Sequence, residues 1–389
     1  MFFTADQVRR LNEQELVEFL NHRISESTGV IDYKLEVFGG NKPERATTEL
    51  LKDVSAFANA EGGHLLIGMN EPTREGDGAA FLVGIDAGEQ VATQIEQRCA
   101  DCIDPRIPGL IARAIALENG KSAVVVHIPP SPSRPHMVVY EGTKTRTFYI
   151  RHSETAQPMK TSEVRQAVLS AAAGNQNAIE YALNQEDRYK DLYKLMAVGR
   201  CALIVHATPL VPVEVLWNVT GDEWRQVIDG YHRQRPGINI RGNHRRPSVE
   251  GIVSLNSVEN DPGMILEVHR TGYIGAVLHV PPQPNPAKVT GPYFWDSHAQ
   301  FFSAFGDVCD EAVQTARSDR PYLLQATITN AAGAVFEHGN ALREALSKPL
   351  QRSELRFPYL RRDSGQSFVE AVAPWTQIFF NAFGVDYRK

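Results

Sequence analysis

Apolar positions along the chain fall into two periods. Val8, Leu11, Leu16, Phe19 and Leu20 are spaced for one apolar face and predict one helix over residues 4–22. Residues 26–29 read as a turn. Residues 31–37 alternate, which predicts a strand with Tyr33, Leu35 and Val37 on one face and Asp32, Lys34 and Glu36 on the other. Leu50, Val54, Phe57 and Ala58 return to helical spacing over residues 44–59, and Gly62-Gly63 supplies the stop. An apolar strand is expected at 64–69, a polar acidic loop at 71–78 and a short strand at 81–85. A second helix is expected at 88–103. Residues 110–117 and 122–128 predict a hairpin around Asn119-Gly120, and 137–140 and 145–151 a second around Glu141-Gly142. Residues 23–155 are expected to form one mixed sheet, and a helix follows from 161 to about 173.

Beyond that, residues 174–196 are polar and helical and read as a linker. The remainder predicts a strand at 201–207, a hairpin from 264–270 and 273–280, a helix at 297–317, a strand at 322–329 and a terminal helix at 375–383. On the 297–317 helix, Phe301, Phe302, Phe305, Val308, Ala312 and Val313 form one stripe. The fold class is α+β: a mixed sheet with packed helices, then a second α/β domain. The expected organisation is an N-terminal helix (1–22), a first domain (23–173), the linker (174–196) and a C-terminal domain (197–389).

Composition adds limits. The chain has 389 residues, enough for two or three cores, with 42% hydrophobic and 22% charged positions. A net charge of -6 argues against a generally basic nucleic-acid binder and leaves only local basic patches. Four cysteines make no disulfide framework. No signal-peptide pattern opens the sequence, and no apolar run reaches the ~20 residues of a membrane span. The expected compartment is the cytoplasm, with no membrane partner.

The run Asp53-Val-Ser-Ala-Phe-Ala-Asn-Ala-Glu-Gly-Gly-His-Leu-Leu-Ile-Gly-Met-Asn70, with Glu26-Ser-Thr-Gly-Val-Ile-Asp-Tyr-Lys34 upstream, resembles the Schlafen/AlbA-type (divergent AAA) nucleic-acid-binding domain. The likeness covers roughly residues 10–170. It implies three converging carboxylates that hold Mg²⁺ or Mn²⁺, a hard cation suited to oxygen ligands and to polarising a scissile phosphate. The positions that match are Glu26, Asp32 and Asn70. Two departures weaken the match: one extra residue separates Glu26 from Asp32, and Asn70 stands where the family's nucleases carry an acid. A solvated strand edge with capping acids explains the same residues without a metal.

The basic candidates are Lys34, Arg146, Arg151 and His152, the last three in a segment that resembles the family's closing Tyr-x-Arg strand. Arginine forks suit phosphate oxygens. Equally, Lys34 could balance its acidic neighbours and Arg151 could pack on the Glu-Gly-Gly turn. Residues 225–246 hold six arginines against Asp229, with Tyr231 and His232 interleaved, a pattern that suits single strands and also a solvated loop. Cys99 and Cys102 form a lone C-x-x-C on a helix, which reads as buried thiols rather than zinc ligands. No G-x-x-x-x-G-K-[ST] loop occurs, so an ATPase has no residue support.

Three functional readings follow. The first is a nucleic-acid-binding protein directed to RNA rather than DNA, with a C-terminal domain that selects target or partner. The second is a metal-dependent endoribonuclease for tRNA-like RNA using Glu26, Asp32 and Asn70. The third is a signalling or assembly module. A homo-oligomer is compatible with each.

Overall fold

Two polar residues start the chain's first helices. Thr4 and Asn12 each accept a backbone N–H and are answered by Gln7 and Glu15, giving two capping boxes. The single helix expected over 4–22 is therefore two, α1 (Ala5–Arg10) and α2 (Glu13–Asn21), because Asn12 restarts the helix after the Leu11 cap. The computed structural model describes residues 3–22, 29–38, 42–152, 155–192, 200–211, 217–229, 244–258, 261–280, 291–340 and 343–385. The chain divides into two units, 1–174 with 317–321 and 363–365, and the rest.

The first unit continues with β1 (Ile31–Lys34), α3 (Pro43–Asn59), β2 (Gly63–Ile67), α4 (Gly88–Cys102), β3 (Ile103–Asp104), β4 (Ile111–Ala116), β5 (Ser122–Ile128), β6 (Met137–Tyr140), β7 (Thr145–His152) and β8 (Thr155–Pro158). The expected single sheet is two. One is mixed, in the order β1-β2-β5-β4, with β1 parallel to β2; the other is antiparallel, β3-β6-β7-β8. The proline-rich loop after β5 leads the chain off the first sheet, and the β6–β7 hairpin pairs with β3 instead. The strand expected at 81–85 is a 3₁₀ turn, Gly78–Phe81, with single bridges from Met69 to Leu82 and Ile85 to Ser122.

The mixed sheet has helices on both faces. Ile31, Tyr33, Leu66 and Val125 pack with Val8, Leu16, Phe19 and Leu20 of α1 and α2. Leu65, Ile67, Val124 and Val126 face Leu50, Val54 and Phe57 of α3 and Ile95 of α4. Strand β1 stops at Lys34, so Leu35, expected inside, is half exposed.

The Gly62-Gly63 pair is required by close approach. Gly62 has φ 72°, and a Cβ there would lie 2.6 Å from the Ile128 carbonyl oxygen and from Pro130. A Cβ on Gly63 would lie 2.5 Å from Phe57 and from the Val30 carbonyl oxygen. Asn59 donates to the carbonyls of His136 and Tyr149 and accepts from the His136 N–H, so the end of α3 is tied to the second sheet.

The unit boundary falls within α5 (Thr161–Leu192). Residues 174–196, expected as a linker, continue this helix to Leu192. In the second unit follow β9 (Cys201–Pro209), α6 (Arg225–Asp229), β10 (His244–Pro247), β11 (Gly251–Val258), β12 (Asp261–His269), β13 (Ile274–Val280), β14 (Tyr293–Trp295), α7 (Asp296–Ala316), β15 (Tyr322–Thr329), β16 (Val335–Asn340), β17 (Arg343–Leu346), β18 (Glu354–Arg356), β19 (Leu360–Arg362) and α8 (Phe368–Ala382). An antiparallel sheet runs β10-β11-β12-β13-β9-β15-β18, with β19 also on β15. One face meets α7 and α8 through Phe301, Phe302, Phe305, Trp375 and Phe379. The other meets α5, whose polar residues find partners on the sheet and on α5 itself. Glu186 pairs with Lys190 (2.8 Å) and Arg356 (3.1 Å), and Thr327 donates to it (3.2 Å). Glu267 receives Arg188, Tyr189 (3.3 Å) and His269 (3.1 Å). No described helix is long and apolar enough to cross a membrane.

Two consequences are measurable. Gly63→Ala forces Phe57 or β1 to move and is expected to lower unfolding free energy by about 2 kcal/mol or more in denaturant titration. His64 and His127 sit opposite each other, 3.2 Å apart and buried, with His64 also against the Phe3 carbonyl. Burial, then the neighbouring His127, pushes His64 down from 6.5 to about 3. A base depressed in the folded state contributes full stability above the unfolded value of 6.5 and loses it as pH falls toward 3. The expected loss is up to ~1.4 kcal/mol per pH unit below 6.5. Denaturation followed by circular dichroism at pH 7.5 and 5.5 checks it, and His64→Leu should flatten the dependence.

Candidate nucleic-acid interface

Strand β1 places Asp32 and Lys34 on the face that α3 covers. That face was expected to be a polar one, and both residues need partners there. Asp53 supplies one: it lies on the apolar stripe of α3, between Leu50 and Phe57, and is 5% exposed. Lys34 Nζ is 3.1 Å from Asp32 Oδ2 and 3.2 Å from Asp53 Oδ2. Arg151, from the end of β7, completes the group. Its Nη1 is 3.4 Å from Asp32 Oδ2, its Nη2 donates to the Ile31 carbonyl at 3.1 Å, and its Cζ stands 4.4 Å over the Phe57 ring.

The electrostatics follow from burial. Desolvation opposes the Lys34 charge, but Asp53 and then Asp32 outweigh it and hold the ammonium above the ordinary lysine range. Burial raises the Asp53 carboxyl, with Lys34 pulling the other way. Two carboxylates face one ammonium and one guanidinium, so the group is neutral as a whole.

The structure thus brings together Asp32, Lys34 and Arg151, and adds Asp53, which sequence reasoning missed. Its signal was a charged residue at helical spacing within an apolar stripe. Arg151 was expected at phosphate or on the glycine turn; its side chain is 2% exposed and packs on Phe57 and β1. Glu26 lies outside the described residues. Asn70 is exposed beyond the end of β2, where Gly68 (φ 84°) bends the chain and the Asn70 N–H donates to Phe81. Among the described residues Asn70 has no hydrogen bond or ion pair to Asp32. Arg146 is exposed and pairs with Glu141 (2.8 Å); His152 is half exposed and meets Glu163 (2.9 Å).

Among the described residues, the donor set around Asp32 does not gather the carboxylates that a divalent cation needs. The carboxylate oxygen that would ligate already takes two positive groups, and Asn70 adds no charge. Among the described residues no group of three or more His, Cys, Asp or Glu side chains could hold a metal ion. Cys99 is buried, which pushes its thiol up to about 12, and burial also raises the thiol of the partly exposed Cys102. Of the basic stretch, Arg225 pairs with Asp222 (3.0 Å) and Arg245 and Arg246 lie on β10, while Tyr231, His232, Arg233, Arg235 and Arg241 lie outside the described residues.

Removing one partner from a buried ion pair strands the other. Arg151→Met is expected to destabilise the first unit by about 3 kcal/mol, while Arg146→Ala on the surface should change it by less than ~0.5 kcal/mol, as read from denaturation midpoints.

Comparison with known proteins gives a family match within the first unit. The Schlafen AlbA_2 family model matches residues 28–160. Among solved structures, the N-terminal domain of a putative ATP-dependent DNA helicase RecG-related protein from Nitrosomonas europaea is 20% identical, over 38% of this chain and 92% of that one, with a TM-score of 0.26. The DIP2311 protein from Corynebacterium diphtheriae is 16% identical, over 41% of this chain and 33% of that one, with the same TM-score. Neither likeness bears on fold or activity at that score. No curated protein matches. The helix, the paired glycines and the strand that follow one another from Asp53 to Asn70 all lie within residues 28–160, the part of this chain that matches the Schlafen AlbA_2 family model.

Proposed function

We propose that the first unit binds nucleic acid, RNA in preference to DNA, in the cytoplasm, and that the second unit selects the target or partner. The observation that carries the reading is the Schlafen AlbA_2 match over residues 28–160, a domain type associated with nucleic acid. Lys34 supports it, because its side chain is 35% exposed at the mouth of the buried group. Arg146, paired with Glu141, and His152, paired with Glu163, stand exposed on β7 as further polar contacts for a phosphate backbone. Arg151 acts as a positioning residue that holds β1 against Phe57. Binding is favoured over cleavage, since Asp32 is already neutralised by Lys34 and Arg151.

The test is fluorescence anisotropy with labelled single-stranded RNA, single-stranded DNA and duplexes. Phosphate contacts release counterions, so affinity is expected to fall at least ~tenfold between ~50 and ~200 mM salt. Lys34→Ala should weaken RNA binding, with Arg146→Ala and His152→Ala adding smaller losses. Equal affinity for wild type and Lys34→Ala would reject this surface, and metal-dependent cleavage of tRNA by the wild type would favour the endoribonuclease instead.

A further inference from the structure

We propose that Lys34 is a built-in cation: its ammonium holds Asp32 and Asp53 on one side and takes a phosphate oxygen on the other, so that nucleic acid binds without a divalent metal. The inference rests on the nucleic-acid reading above. It also gives Asp53 a role, as the second arm of the seat.

Four observations carry it. First, two carboxylate oxygens from different elements, β1 and α3, converge on one nitrogen at 3.1 and 3.2 Å. That is how carboxylates gather round a metal ion, with longer bonds because the centre is an ammonium. Second, an ammonium has three N–H donors, and the two carboxylates account for two of them. The side chains of Asp32 and Asp53 are 9% and 7% exposed and that of Lys34 35%, so the carboxylates are inside and the lysine is the part that solvent reaches. Third, a divalent cation bonded to the same oxygens would lie against the ammonium, in a place where like charges are poorly screened. Fourth, the charges already balance: Lys34 and Arg151 answer Asp32 and Asp53. An added metal would leave two positive charges unanswered in a largely buried setting.

An ammonium here does part of what a bound cation does. It neutralises the carboxylates and offers positive charge to a phosphate. It cannot lower the pKa of a bound water as a metal does, which agrees with binding rather than hydrolysis.

The experiment uses the full chain. RNA affinity is measured by anisotropy in EDTA and in Mg²⁺, and Mn²⁺ uptake by the protein alone is followed by electron paramagnetic resonance. Wild-type affinity is expected to agree within about twofold in the two buffers, with no Mn²⁺ bound at this seat. Lys34→Ala is expected to weaken RNA binding by about tenfold or more, the worth of a charge-assisted hydrogen bond, and to take up Mn²⁺ between the freed carboxylates. That Mn²⁺ should restore RNA binding to within a few-fold of wild type, and adding Asp53→Asn should abolish both uptake and rescue. Failure of Lys34→Ala to take up Mn²⁺ overturns the proposal. So does wild-type binding that collapses in EDTA, or wild-type Mn²⁺ uptake that Asp53→Asn removes. If Lys34→Ala does not fold, the two wild-type measurements decide. Absence of RNA binding by the wild type would remove the nucleic-acid reading and the phosphate half of the proposal, while Mn²⁺ uptake would still decide the cation half.

Discussion

A guanidinium that is 98% shielded cannot stand alone, and the first unit is arranged around that constraint. The charge of a buried guanidinium must be met where it lies. The ring of Phe57 covers one face, the Ile31 carbonyl and the Asp32 carboxylate take its N–H groups, and Lys34 and Asp53 balance what remains. These contacts join the second sheet, helix α3 and the edge strand β1 of the first sheet. Asn59 adds neutral bonds between α3 and the second sheet. The Ser-Ala-Phe-Ala-Asn run is therefore explained residue by residue: Ser55 is buried and donates to the Lys52 carbonyl, Phe57 seats the arginine, Ala56 and Ala58 are buried, and Asn59 ties the hairpin.

The second unit solves the same problem on a different face. Its sheet meets α7 and α8 through apolar packing rich in aromatic rings, but meets α5 through a polar band in which Glu267 and Glu186 are fully buried and answered by arginine, lysine, tyrosine and histidine. A helix whose inward face carries such groups looks solvated in sequence. The sheet beneath it, together with Lys190 of the helix itself, supplies the partners that make the polar residues compatible with burial.

Much of the fold was legible where one physical signal dominates. The amphipathic periods of α3, α4 and α7, the two turn-centred hairpins and the glycine stop at Gly62 are local facts, set by side-chain spacing and backbone freedom. The break between α1 and α2 was also local, written in two capping boxes, but the continuing apolar period hid it. The division into two sheets was not legible, because which strand a hairpin joins depends on the path of the loop before it.

For the candidate site, Asp32 and Arg151 stood out through the family resemblance and Lys34 as a basic neighbour, in two separate groups; the structure joins these three, while Asn70, Arg146 and His152 lie apart. The sequence by itself determined that β1 alternates, that α3 carries an apolar stripe interrupted by Asp53, and that an arginine ends β7. Tertiary structure decided which way that alternation faces. Packing α3 over the Asp32–Lys34 face turned an apparently solvated edge into a buried one. In low dielectric a charge must be paired or lost, so the groups read separately as metal ligands and phosphate contacts became one another's partners.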